Sequence, residues 1–262
     1  MFCSKCGALN DDDSKFCSKC GAPLGDVSSD SNTYSVEDVG EKKNSFDVSG
    51  VIKEKEVKVI FAILVLLFGL IGIFTAWVPF GFVVTMILGF INAVLQTILI
   101  FQWADVINTN IDNTRIFINQ LISKKPEKAS ELQMMISQLQ GIKIDMTMFW
   151  VYMVLYVLSQ VLSFNYWITP VVSILAFIFL MIYLQNTFSQ EHRLLSLKNQ
   201  FYGHFSAHTY HLDQIKKRNV GLLILFVIIT LGIYWWYILI KHSQEINDFV
   251  EADVNNRRMI SM

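Results

Sequence analysis

Every cysteine of the chain lies in an internal repeat, in which Phe2-Cys3-Ser4-Lys5-Cys6-Gly7-Ala8 recurs letter for letter as Phe16-Cys17-Ser18-Lys19-Cys20-Gly21-Ala22. Each copy offers two thiolates from one tight turn, and four thiolates close the tetrahedral shell that a structural zinc ion prefers. Cys3, Cys6, Cys17 and Cys20 are therefore the expected ligands of one structural zinc. About twenty residues bury too little surface to fold without the metal, and Phe2 and Phe16 are placed to cover it. A redox dithiol needs only one such pair, so two identical copies at ligand spacing argue for a closed shell. A second constellation is His204, His208 and His211, spaced i, i+4 and i+7, with Asp213 close behind. On a helix these rings share a face, where they could bind a metal or relay protons. His192 with Glu191 is the nearest group able to add to that shell.

The repeat resembles the short zinc ribbons found at the N-termini of many bacterial and archaeal proteins, over residues 1–24. Ribbons often touch nucleic acid. Here Lys5, Lys15 and Lys19 are offset by Asp11, Asp12 and Asp13, and a tetrathiolate zinc adds about two negative charges. No nucleic-acid partner is expected.

Composition sets the class of the remaining chain. The protein is 53% hydrophobic with a net charge of −1, the balance of a mainly α, polytopic membrane protein. Residues 59–101 contain no charged side chain, enough for two crossings at about twenty residues each. Trp77-Val78-Pro79-Phe80-Gly81 is the expected break between them. Five transmembrane helices are read in all, at about 57–77, 80–101, 147–163, 166–185 and 219–240. The first apolar run is too long for the h-region of a cleavable signal, so the first span is expected to act as the membrane signal. All six tryptophans fall near span ends, where indoles suit the headgroup layer.

Orientation is set by the basic residues. The segment to residue 58 carries eight Lys and Arg, and the 102–146 and 186–219 loops carry five each, whereas the two hairpin turns carry none. A plasma-membrane protein with a cytoplasmic N-terminus is expected, in agreement with thiolates kept reduced for zinc. Five crossings then place the C-terminal tail, 241–262, on the other side.

Residues 25–50, within a linker taken as 25–56, hold six carboxylates against two lysines and many serines. Such a stretch cannot bury a core. It would let the ribbon range over roughly 28 Å root mean square. The loops read as amphipathic helices within 103–143 and 188–215. One stripe begins with Trp103, Val106, Ile107, Asn110 and Ile111, and another after Pro126 uses Ala129, Leu132, Ile136 and Leu139. In the tail, Ile246, Phe249, Val250 and Val254 mark a short amphipathic helix.

The stretch Lys216-Lys217-Arg218-Asn219 leading into Thr230-Leu231-Gly232-Ile233-Tyr234 and an aromatic run resembles the signature of an uncharacterised prokaryotic multipass membrane family. The resemblance implies a small membrane domain, often fused to a ribbon, and supplies no functional residues.

The spans carry no Asp, Glu, Lys, Arg or His at depth, which argues against energised transport. Asn92 and Gln96 are expected to tie helices together, and Gly81, Thr85, Gly89, Ala93 and Thr97 form a ridge along which a neighbour can approach. The expected function is a scaffold or interaction module at the cytoplasmic face, not an enzyme, with membrane lipid and a cytoplasmic or membrane protein as partners. The alternatives are a passive channel or small-molecule permease, with Asn92, Gln96, Gln160 and Asn165 along its pathway, and a membrane-bound metalloenzyme built on His204, His208 and His211.

Overall fold

The first two apolar runs form one helical hairpin, α1 (Val59–Thr75) and α2 (Gly81–Lys124). The computed structural model describes residues 53–75, 77–78, 81–162, 167–205 and 211–261. The four expected zinc ligands, most of the linker, Asn165 and His208 lie outside the described residues. Val78 donates to the Thr75 carbonyl and Gly81 to the Val78 carbonyl across the α1–α2 turn. A Cβ on Gly81 would stand 1.8 Å from the Thr75 oxygen, so glycine is required at this position. A second hairpin pairs α4 (Thr147–Val161) with α5 (Ile168–Phe205), and α3 (Ala129–Ile142) comes after a short 3-10 turn opened by Pro126.

Three helical stretches, Val83–Lys124, Pro126–Ser159 and Ile168–His204, are long and apolar enough to cross a membrane, and α1 and Val220–Ile229 are shorter apolar helices. In α2 and α5 the apolar segment and the expected loop helix are one continuous rod. With 44 and 38 residues they run about 66 and 57 Å, twice the hydrocarbon thickness. No proline interrupts either helix beyond its first turn, so nothing stops helix propagation where the hydropathy falls. The first half of each rod exposes Val83, Phe90, Val171 and Ile174, whereas the second half is packed. Trp103, Val106, Ile107, Asn110 and Ile111 are all buried, as their spacing predicts. Leu132 and Leu139 of α3 are likewise buried, and α3 packs on α2 and α5.

The apolar segment 219–240 departs from the single helix read from its hydropathy. It is α6 (Val220–Ile229), a turn, and the start of α7 (Ile233–Ser261). The turn has the hydrogen bonds of a Schellman motif: Gly232 N–H to the Val227 carbonyl, 2.8 Å, and Leu231 N–H to the Ile228 carbonyl, 3.2 Å. Leu231 takes φ +51° and Gly232 φ +92°. Asn219 caps the other end of α6, accepting from Gly221 and Leu222 N–H. The chain then doubles back, so Arg218 before α6 meets Glu245 of α7 at 2.7 Å. Both ends of the apolar segment therefore lie at one level, a result that excludes a straight helix of about 33 Å.

Other expectations are corrected by packing. Trp103 is fully buried and donates to Ser243 Oγ at 2.9 Å, so it belongs to the core and not to an interfacial belt. Trp235 and Trp236 come directly after the α6–α7 turn, and Trp236 lies over Gly69 of α1, where a Cβ would stand 2.7 Å from its ring. The expected ridge is used at its start, where Thr75 and Thr85 hydroxyls are 3.0 Å apart, but a Cβ at Gly89 would meet nothing within 4 Å.

Candidate functional site

Three asparagines on the packed halves of the long helices each hold an incoming stretch of chain by both of its backbone groups. Asn108 of α2 accepts from Ile144 N–H at 2.9 Å and donates to its carbonyl at 3.0 Å. Asn199 of α5 does the same to Leu212, at 2.7 and 2.8 Å. Asn247 of α7 does it to Val57, at 2.7 and 2.9 Å. Ile144, Leu212 and Val57 precede α4, α6 and α1 respectively. A primary amide suits this task because it offers one acceptor and two donors in a plane, the complement of a peptide group. Each approach to an apolar helix from this face is thus pinned to the same platform. The segment before α1 is held further: Lys55 pairs with Asp105 at 2.8 Å, Glu54 pairs with Arg257, and Lys58 N–H donates to Gln102 at 3.0 Å.

Beneath these pins lies a buried ionic cluster around Asp253 of α7. Its carboxylate accepts from Lys198 at 2.8 Å, Tyr202 at 2.6 Å, Asn110 at 2.9 Å and Arg257 at 3.0 Å. Lys198 also donates to Asn110 Oδ1 and Thr114 Oγ1. Lys198 and Asp253 are both fully buried, so each charge depends on the other and on these hydrogen bonds. Burial drives the Lys198 ammonium down to about 8 although Asp253 opposes it. Burial pushes the Asp253 carboxyl up, but Lys198 and Arg257 outweigh it and hold the group at about 2.

A second cluster ties the α6–α7 hairpin to α5. His242 Nε2 faces Glu191 Oε1 at 3.2 Å, and Arg218 Nη1 donates to His242 Nδ1 at 3.0 Å. The ring meets Trp103 and Phe188 edge to face, at 4.6 and 5.0 Å between centroids. Burial disfavours the imidazolium, yet the Glu191 carboxylate wins and raises its protonation above the ordinary range. On protonation Nδ1 gains a hydrogen that faces Arg218, and its acceptor is then Glu245 Oε2, 4.0 Å away. For Glu245, burial is outweighed by hydrogen bonds from His242 and Arg218 and by the Arg218 charge, which hold the carboxyl below its usual value.

Of the residues singled out from the sequence, His204 is exposed near the end of α5, beside Met135 and Phe201 at a small cavity. His211 is exposed in coil beyond α5, not on a continuation of that helix, so the two do not share a helical face. Among the described residues no three His, Cys, Asp or Glu groups converge as for a metal. Gln96 accepts from the Trp235 indole at 2.9 Å and so joins α2 to α7, as a helix tie should, while Asn92 Oδ1 has no partner.

The ionic residues escape a reading by composition and motif. Their signal is phase: His242, Asp253 and Arg257 share the buried side of α7 with Ile246, Phe249 and Val250, and Glu191 and Lys198 share that of α5 with Leu184, Leu194 and Leu195. A polar residue in step with an apolar helical stripe is buried with it.

The zinc-ribbon domain family matches residues 2–24, and a domain of unknown function, DUF4234, matches residues 218–261. The second match begins at Arg218 and spans the capped α6, the Thr230-Leu231-Gly232 turn and α7. No curated protein and no solved structure matches the chain.

Proposed function

We propose that this membrane protein is a cytoplasmic-face interaction module, in which a zinc-bearing ribbon is displayed on a tether from a rigid helical platform. The observation that carries the reading is the clamp at 54–58, where Glu54, Lys55, Val57 and Lys58 are held by α2 and α7. A tether rooted this firmly keeps its far end near one patch of membrane surface, which serves capture of a partner by raising its effective concentration. Zinc would be held by Cys3, Cys6, Cys17 and Cys20 as a closed structural shell without a catalytic position. The platform side is the cytoplasmic side of the plasma membrane, in keeping with the basic loops. In this topology α1, α2, α4 and α5 cross, and α6 with the start of α7 forms a re-entrant hairpin. The tail then lies on the ribbon side. Re-entry is tolerated because the turn's backbone groups are satisfied within the hairpin. Ion-paired burial of Lys198, Asp253, Glu191 and His242 fits a structural layer and no enzymatic role.

The test is affinity capture of the full chain from mild detergent beside a Cys6→Ser variant. The parent should carry about one zinc per chain, and the variant should lose both the zinc and the co-purifying partner while its helical domain melts unchanged. An identical set of co-purifying proteins in both samples refutes the display role, and a chain without zinc refutes the ligand assignment.

A further inference from the structure

Between α2, α5 and the α6–α7 hairpin lies a cavity of about 550 Å³, lined by Phe177, Met181, Val227, Trp235 and Trp236 among others. Its one polar side chain is Gln96, whose carbonyl oxygen already accepts the Trp235 indole hydrogen. A hydrogen-bonding solute finds little to bind there, whereas an alkyl chain matches the whole lining. The cavity lies beside the apolar halves of these helices, and its α6 and α7 walls lead directly to cations at their polar ends. Lys241 lies five residues beyond Trp236, about 7.5 Å of helix. Lys217 lies just before α6, exposed. Neither has an ion-pair partner among the described residues, and the neighbouring Lys216 ammonium meets only the Asp213 carbonyl, at 3.1 Å. The carboxylates nearby are engaged elsewhere, Glu245 by Arg218 and Glu191 by His242, which leaves exposed Asp213 as the opposing charge.

We infer that the cavity and these lysines form one binding site for an anionic phospholipid, with an acyl chain against Trp235 and Trp236 and the phosphate at Lys217 and Lys241. The arrangement separates the two halves of such a ligand as a lipid does, with an uncharged tail and a charged head about one to two helical turns away. Each lysine near an anionic surface contributes about five-fold in affinity. The pair should therefore favour an anionic over a zwitterionic lipid of the same chains by about twenty-five-fold at low salt.

The experiment is native mass spectrometry of the full chain in mild detergent, titrated with phosphatidylglycerol or phosphatidylcholine of identical chains. The parent should retain phosphatidylglycerol preferentially. Lys217→Gln with Lys241→Gln should bring its retention down to that of phosphatidylcholine, while Val227→Trp, which fills the cavity, should weaken both lipids alike. If Val227→Trp does not fold, Met181→Phe narrows the same cavity from α5. Equal retention of the two lipids by the parent overturns the headgroup assignment, as does an unchanged preference in the double glutamine variant. Undiminished binding in the folded cavity variant overturns the placement of the tail.

Discussion

Replacing Asp253 by asparagine removes the one carboxylate that contacts Lys198, and the cost can be worked from the cluster. The aspartate held at about 2, against an ordinary carboxyl near 3.9, corresponds to about 2.6 kcal/mol of folded stability at neutral pH. Asparagine also leaves Lys198 charged and fully buried, because at about 8 its ammonium stays protonated at pH 7. Breaking a buried pair in this way costs about 3 to 5 kcal/mol in total. Arg257 is less exposed to the loss, since Glu54 remains its partner. Removing the stranded charge as well, with Lys198→Met, should return most of the loss, because buried pairs replaced by apolar groups are often neutral. The assay is reversible unfolding in mixed detergent micelles monitored by tryptophan fluorescence, to which buried Trp103 contributes. The sign with pH is also set. A depressed carboxyl contributes stability that is fully present above its unfolded value and is lost as pH falls through its folded value. The parent should therefore weaken between about pH 4 and pH 2, and Asp253→Asn should lack that contribution. A loss below about 1 kcal/mol for Asp253→Asn, or a double variant no more stable than the single one, would refute the coupling.

The remaining predictions concern the hairpin and its seat. Leu231→Gly should stabilise the protein by about 1 kcal/mol, because a leucine at φ +51° carries left-handed strain that glycine does not; a destabilised variant in the same unfolding assay counts against the turn. Gly232→Val, at φ +92°, should do the reverse. A Ser261→Cys variant in intact cells should resist a membrane-impermeant thiol reagent beyond the parent's background and label after permeabilisation, since the Arg218–Glu245 pair brings the tail back to the side from which α6 sets out. Labelling without permeabilisation contradicts the hairpin. Gly69→Val places a Cβ 2.7 Å from the Trp236 ring and should cost about 1 to 3 kcal/mol, with a shift in tryptophan emission. An unchanged spectrum and stability would mean that α7 does not seat on α1.

What the amino-acid sequence determines by itself is whatever depends on neighbours along the chain. The cysteine repeat, the uncharged runs and the three- and four-residue stripes are of that kind. They are enough for the all-helical membrane class, for the ribbon match at 2–24 and for the buried face that begins at Trp103. The fifth apolar segment marks the limit of this information. Its hydropathy is that of one straight helix, and the break depends on two consecutive residues with positive φ and on an ion pair between Arg218 and Glu245, twenty-seven positions apart. Trp103 reads as an interfacial indole until Ser243, one hundred and forty positions away, is brought to its Nε1. The ionic cluster has the same cause. Asp253 and Lys198 are ordinary surface types in a linear reading, and only the packing of α7 against α2 and α5 removes water from both and makes each the condition for burying the other. Hydropathy measures the cost of leaving water one residue at a time, whereas the cost of a buried charge is set by its partner, and tertiary structure alone chooses the partner.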